Sequence, residues 1–497
     1  MQTDAGGAEP SNPLGTRVRG AILATLIGKQ FQLLIGGGAL LVLARLLDPA
    51  DYGLFGLLFS VYAVAEVAAT YGLKAFLVRA DTLEEDDWRS ALGLGLTLSF
   101  GLAALLALLA ALAPTEARAT GWLLAAAVAP FGLAVVAETR RERELEFSLI
   151  AKLSVLRGAL DAATVIGLAI LGFGPAALAA GVLVERWANA AILGLIYSRR
   201  HGVGLSFLSW QRFSKLGRQV SLANAIPHLS DMVIAATTSA FLGMPSLGIL
   251  NRARAVEGLT DRALLNGIKP VILPAFSAAL REGTPAGEVY LMKTERLASV
   301  CWPIFLVMFV TAEPLIAVLL GPDWRAATDP FRILALGGLI VPFTRMGGKF
   351  FIAIGRADAF LRYQIIHHAC LMVLSALGAL HSIEAVAAAI SAAFLIKAIL
   401  LVRAVKQITD YDVAEFFNAL RGAAALSAFC ITGPLLLTMF ASGLPPLPFL
   451  ILAMTSAAAL GFLGLLILRH PLLGELESFM HFLRPKRGLG SARKTDH

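Results

Sequence analysis

The sequence predicts an all-α, polytopic membrane protein: two six-helix lobes with pseudo-two-fold symmetry plus two extra helices, fourteen spans in all. Three observations carry this expectation. Of 497 residues, 57% are hydrophobic and only 15% charged, where soluble domains run near ~25% charged. Apolar runs of about 20 residues, the length that crosses a bilayer, recur along nearly the whole chain. Lys and Arg then concentrate in alternate loops between those runs. Together these exclude a soluble enzyme, a disordered chain and a secreted disulfide scaffold. Cys301, Cys370 and Cys430 all fall inside apolar runs and read as buried small hydrophobes.

The spans lie near 21–46, 53–78, 89–113, 121–138, 149–172, 175–197, 217–241, 247–275, 297–320, 331–353, 361–379, 384–403, 421–440 and 447–468. The fourth is short and carries Pro130, and the eighth is unusually polar. Pro227, Pro270, Pro274, Pro303 and Pro314 sit within spans, where neighbouring helices can satisfy the backbone groups that proline frees. With the N-terminus inside, 28 Lys and Arg lie in inside segments and 4 in outside loops. That asymmetry places both termini in the cytoplasm. It also accounts for the net charge of +8 without nucleic acid.

The chain reads as duplicated. Tyr52-Gly53-Leu54-Phe55, after the first span, pairs with Leu247-Gly248-Ile249-Leu250, after the seventh, at a shift of 195. The expected organisation is a cytoplasmic tail (1–20), an N-terminal lobe (21–200), a cytoplasmic linker (201–216), a C-terminal lobe (217–405), two peripheral helices (421–468) and a basic cytoplasmic tail (469–497). Substrate sites in transporters built from such repeats lie between the halves.

Ionisable residues at bilayer depth are costly and point to function. The first half carries Lys29, Glu66, Arg157, Asp161, Glu185 and Arg186, with no net charge; Arg157 and Asp161, four apart, read as a self-neutralising pair. The second half carries seven cations against four acids: Asp231, Arg252, Arg254, Glu257, Asp261, Arg262, Lys269, Glu313, Arg345, Lys349 and Lys397. In the eighth span Asn251, Arg254, Glu257, Asp261, Arg262 and Lys269 share one helix face, with Ala253, Val256, Leu259, Ala263 and Leu264 opposite. This predicts a span lining a cavity. Asn224, His228, Asp231 and Thr238 form a weaker stripe on the seventh. Arg345 and Lys349 are one turn apart on the tenth.

His367 and His368 read as packed or interfacial. Lys397 is left open between snorkelling and a place in the bundle. A net-positive cavity suits an anionic substrate, since Arg offers forked donors to phosphate oxygens and Lys a movable point charge. No P-loop, metal-ligand or nucleophile motif stands out, so neither an enzyme nor a bound cofactor is expected.

Several segments resemble a known family. LARLLDPADYGLFGLL (43–58), GFGPAALAAGVLVERW (172–187), SAFLGMPSLGILNRA (239–253), LLGPDWRAATDPFRILALGGLI (319–340) and AIGRADAFLR (353–362) are similar to the polysaccharide transport family. Its members are the Wzx-type oligosaccharide and lipopolysaccharide flippases of the multidrug/oligosaccharidyl-lipid/polysaccharide exporter superfamily.

The resemblance implies two lobes in a V, alternating access and a central cationic cavity in a bacterial inner membrane. The implied cargo is a polyprenyl-pyrophosphate-linked sugar moved to the periplasmic leaflet for lipopolysaccharide or exopolysaccharide synthesis. Membrane lipid, a polysaccharide polymerase and glycosyltransferases would be its partners. The family's first-span cation corresponds to Lys29, its seventh-span acid to Asp231 and its eighth-span arginine to Arg254.

Lys29, Arg254, Arg262, Lys269, Arg345 and Lys349 are thus the expected substrate contacts, a ladder of cations with Lys397 off its path. Asp231, Glu257 and Asp261 are the expected acids for proton or sodium coupling. Two alternatives are a cation-coupled exporter of another amphiphile or drug, and a membrane-embedded polysaccharide polymerase. The short outside loops speak against the polymerase.

Overall fold

The computed structural model describes residues 28–260 and 276–474, apart from positions 29, 32, 33, 203, 410 and 442; at 214–216, 218, 219, 357 and 413 the backbone alone is described. The described residues form helices and their connections, with no strand among them. The first lobe comprises α1 (Leu34–Leu43), α2 (Pro49–Thr70), α3 (Leu73–Arg79), α4 (Glu85–Leu112), α5 (Thr115–Val128), α6 (Phe131–Arg143), α7 (Phe147–Ile170) and α8 (Pro175–His201). Then follow α9 (Trp210–Leu242), α10 (Met244–Thr260), α11 (Ala286–Val310), α12 (Ala312–Leu319), α13 (Thr328–Gly338), α14 (Val341–Ala353), α15 (Ala357–Ala379) and α16 (Ile383–Thr409). Last come α17 (Val413–Phe440) and α18 (Pro446–Ile467).

A helix stands at each of the fourteen expected positions, and the chain is a multi-pass membrane protein. Among the described residues, nine helices are long and apolar enough to cross a bilayer, or eleven if each of two bent pairs counts as one span. The other three positions are α1, α9 and α10. The last two are the polar helices singled out in the sequence.

Local chemistry sets the helix boundaries. Pro49 opens α2 behind Asp48, whose side chain and that of Asp51 form a reciprocal capping box. Asp412 and Glu415 do the same for α17. Between α2 and α3 the chain turns through Tyr71 and Gly72, both at positive φ. At the far end of α3 the Arg143 guanidinium donates to the Leu77 and Ala80 carbonyls, each at 2.7 Å, covering acceptors that the helix terminus leaves open.

Pro130 divides the fourth span into α5 and α6 without ending the crossing. The buried Gly132 amide next to the break donates to Ser99 Oγ at 2.9 Å, the substitution of partners that lets proline persist in membrane helices. The ninth and tenth spans are broken more sharply, by 81° between α11 and α12 and by 43° before α14.

The expected Arg157–Asp161 pair is not formed. Arg157 instead lies 3.3 Å from Glu185 and 3.7 Å from Glu138. The chain of ion pairs continues from Glu185 to Arg186 at 3.3 Å, from Arg186 to Glu66 at 2.9 Å, and from Lys74 to Glu142 at 2.7 Å. Arg186 Nε donates to the Tyr62 hydroxyl at 3.1 Å. Two neighbouring helices thus supply the carboxylates that Arg157 meets, in place of Asp161 on its own. At the loop before α7, hydrogen bonding from Arg200 holds the Glu146 carboxyl below its usual range. That bond therefore persists as pH falls past the ordinary carboxylate range and is lost only below it.

The two halves meet where the repeat falls. α2 packs along both α9 and α10. A Cβ at Gly53 would sit 1.9 Å from the Met244 carbonyl oxygen, and one at Gly248 would sit 1.8 Å from the Pro49 carbonyl oxygen. Met244 and Gly248 are the residues 195 positions after Pro49 and Gly53, so the contact is reciprocal. Around it, Trp324 Nε1 donates to the Ala44 carbonyl at 2.8 Å. The Tyr52 ring meets Trp324 edge-on at 5.4 Å, and Arg252 lies over the Tyr52 ring at 3.9 Å. Both halves share one apolar core here, including Leu43, Ala177, Leu250, Ala253 and Phe331. Outside the second lobe, α17 packs along α11, and α18 along α17.

Candidate substrate cavity

α10 delivers its two faces as the helical period predicts. Ala253 and Val256 are fully buried, and Arg254 and Glu257 line a cavity of about 650 Å³ within the second lobe. α14 contributes Arg345 and Lys349, α15 contributes His367 and His368, and α16 contributes Lys397. Gly337, Gly338 and Gly348 line part of the wall. Their missing side chains let Ser391, Phe305 and Phe360 approach the backbone of the tenth span, since an added Cβ would meet them at 2.5, 2.3 and 2.9 Å.

Among the described residues the charge balance is four cations, Arg254, Arg345, Lys349 and Lys397, against one acid, Glu257. Asp231, on the neighbouring α9, holds Arg254: Nη2 donates to Oδ1 at 2.8 Å. The Arg254 and Asp231 side chains are 34% and 44% exposed, so the pair is open rather than sealed. His367 Nδ1 lies 3.1 Å from the Ala393 carbonyl oxygen, and His368 Nδ1 lies 3.0 Å from Ser230 Oγ.

Of the residues expected to form the site, the structure brings Arg254, Arg345, Lys349 and Glu257 to one cavity, with Asp231 at Arg254. Lys29, Asp261, Arg262 and Lys269 lie outside the described residues. The position expected for Lys397, off the cation path, is corrected. Lys397 is only 8% exposed and lines the same cavity as Arg345. The signal was present in the sequence: Ile390, Phe394 and Lys397 recur at helical spacing, and Ile390 and Phe394 line the cavity too. The histidines are packed, as expected, but packed into the cavity wall.

A two-lobed, all-helical membrane bundle with a net-positive cavity among its described residues is a transporter fold. Similarity to known proteins agrees. The chain belongs to the polysaccharide biosynthesis protein family, which matches residues 42–329.

It is 25% identical over 313 residues to the succinoglycan biosynthesis transport protein ExoT of Rhizobium meliloti (strain 1021), covering 61% of this chain and 62% of that one. It is 26% identical over 152 residues to the teichuronic acid biosynthesis protein TuaB of Bacillus subtilis (strain 168), covering 31% and 30%. The match thus spans less than two thirds of either relative's length. Among solved structures, the lipid II flippase MurJ in an inward closed conformation superposes with a TM-score of 0.75 at 15% identity, over 91% of this chain and 100% of that one. An inward-facing multidrug resistance transporter of the MATE family gives 0.59 at 14% identity, over 82% and 99%.

Proposed function

We propose that the protein is a flippase that moves a polyprenyl-pyrophosphate-linked oligosaccharide from the cytoplasmic to the periplasmic leaflet of a bacterial inner membrane by alternating access. The observation that carries this reading is the cavity in which, among the described residues, Arg254, Arg345, Lys349 and Lys397 face one acid at bilayer depth. A surplus of cations there is costly, and a diphosphate supplies negative charge with oxygens matched to guanidinium forks. The volume lies within the range of small-molecule sites, about 300–1,000 Å³. It therefore matches a headgroup rather than a polymer, with the prenyl tail left in lipid. Family membership makes a polysaccharide precursor the natural cargo.

The test is transport of a fluorescent prenyl-diphosphate-linked sugar in proteoliposomes. Cargo should become accessible to a membrane-impermeant quencher only when the protein is present. Equal transport of a prenyl-linked sugar lacking phosphate would overturn the reading.

Direction rests on orientation. In a variant lacking the three native cysteines, single cysteines near Thr115 and Pro445 should react with an impermeant maleimide on intact cells, and one at Ser491 should not. Labelling of Ser491→Cys from outside would reverse the topology.

A further inference from the structure

The Arg254–Asp231 pair poses a problem for an anion-binding cavity, because the best-placed guanidinium already has a carboxylate at 2.8 Å. A diphosphate entering beside it would place a second anion on one cation. Asp231, 44% exposed beside the cavity, would then face the diphosphate as a second anion with its own cation withdrawn, a like-charge repulsion at bilayer depth. The other cavity cations, Arg345, Lys349 and Lys397, would be drawn to the diphosphate as well. Asp231 needs a cation that appears only when substrate arrives.

His368 is placed to become that cation, whereas His228, on the same stripe of α9, acts on Glu66 of the first lobe. Ser230, next in sequence to Asp231, donates its single hydroxyl proton to the Ile226 carbonyl at 3.0 Å. Its oxygen is therefore left to accept, and His368 Nδ1–H donates to it at 3.0 Å. That fixes the neutral tautomer of His368 and makes Nε2 the ring nitrogen that takes up a proton. Asp231 already acts electrostatically on His368, as does Lys397. Among the described residues, the charged and titratable groups around it are Asp231 and, three residues before it, His228 from α9, Arg254 and Glu257 from α10, Arg345 and Lys349 from α14, Lys397 from α16 and its own neighbour His367.

We infer that substrate binding is an exchange: the diphosphate takes Arg254 from Asp231, and Asp231 is re-neutralised by His368, which takes up one proton at Nε2. Loading a diphosphate thereby loads a proton, and resetting the Arg254–Asp231 pair releases it. This rests on the reading of the cavity as a diphosphate site and names its coupling ion. The balance is simple: no covalent bond to the cargo changes, and one proton passes from water to imidazole and back.

The experiment is titration of farnesyl diphosphate into the full-length protein in nanodiscs between about pH 6 and pH 8, in buffers of different ionisation enthalpy. Wild type should take up close to one proton per diphosphate bound at the alkaline end. Its affinity should fall by up to tenfold per pH unit there, opposite in sign to the effect of ionising the diphosphate itself. His368→Asn keeps a donor for Ser230 but has nothing to titrate. It should bind more weakly than wild type at pH 6, with no proton uptake and no alkaline loss of affinity. Asp231→Asn removes the competing anion, so it should bind more tightly than wild type, without uptake and with turnover lost.

Uptake that persists in His368→Asn, Asp231→Asn binding more weakly than wild type, or wild-type affinity that follows sodium rather than protons would each overturn the exchange while leaving the diphosphate site standing. Absence of wild-type binding at any pH would instead overturn the site itself.

Discussion

Arg254→Ala is expected to abolish polysaccharide export when it replaces the wild-type protein, while still inserting in the membrane at normal levels. On the proposed reading the substitution removes charge-assisted hydrogen bonds to the cargo, each worth about 1.5–3 kcal/mol, and it leaves Asp231 without its partner. Tenfold in rate or affinity corresponds to about 1.4 kcal/mol, so two lost bonds suffice for a hundredfold or greater deficit. Arg254→Lys restores charge without the fork and should recover only part.

Lys397→Ala belongs to the same experiment. Its place on the cavity wall predicts a loss of tenfold or more, because a buried ammonium there has no purpose without an anion. Export and membrane abundance, measured together in a strain lacking its own flippase, decide both. Wild-type export from Lys397→Ala would remove that residue from the cargo path.

The second large effect is expected at the reciprocal glycine contact. Gly248→Ala and Gly53→Ala each drive a methyl group into a backbone carbonyl of the facing half, at 1.8 and 1.9 Å. Overpacking in well-filled cores typically costs about 1–3 kcal/mol. Here the obstructing atoms are main chain, which no rotamer change can move, so the upper end applies. Relief comes by parting the halves. Both variants should raise the reactivity of a cysteine placed at Ala44, which is 4% exposed, by tenfold or more, and to a similar degree. Unchanged protection of that cysteine, with unchanged thermal stability, would mean that the halves do not bear on each other there.

The parts of this architecture that depend on length and period were legible in the sequence. Apolar runs marked where each helix would stand. The 100° periodicity of α10 separated Ala253 and Val256, now buried, from Arg254 and Glu257, now on the cavity. What depended on how helices turn toward one another was not legible. Arg157 was expected to pair along its own helix and pairs across to Glu138 and Glu185, because the rotation and crossing of α6, α7 and α8 decide which carboxylates it meets. Lys397 was left unplaced for the same reason. One lysine in an apolar helix snorkels or faces inward according to the helix's rotation, which no run of alanines and leucines records. Pro130 marked a weak point correctly, but the rescue lay in Ser99, one helix away.

The glycine contact has a consequence for how such a protein arises. Each half offers the other the same patch of backbone, glycine to carbonyl and carbonyl to glycine, so the surface is self-complementary. That is the geometry by which two identical subunits associate about a dyad. A half-length chain with one glycine at this position would meet its own copy in the same way, as a homodimer. In such a dimer both halves must carry the same side chains. Joined in one chain they are free to differ, and they do: among the described residues the first half ties Glu66, Arg157, Glu185 and Arg186 into a run of ion pairs, while the second keeps a surplus of cations around a void. A single chain thus lets one half serve as scaffold and the other as receptor, with the seam between them made of glycine.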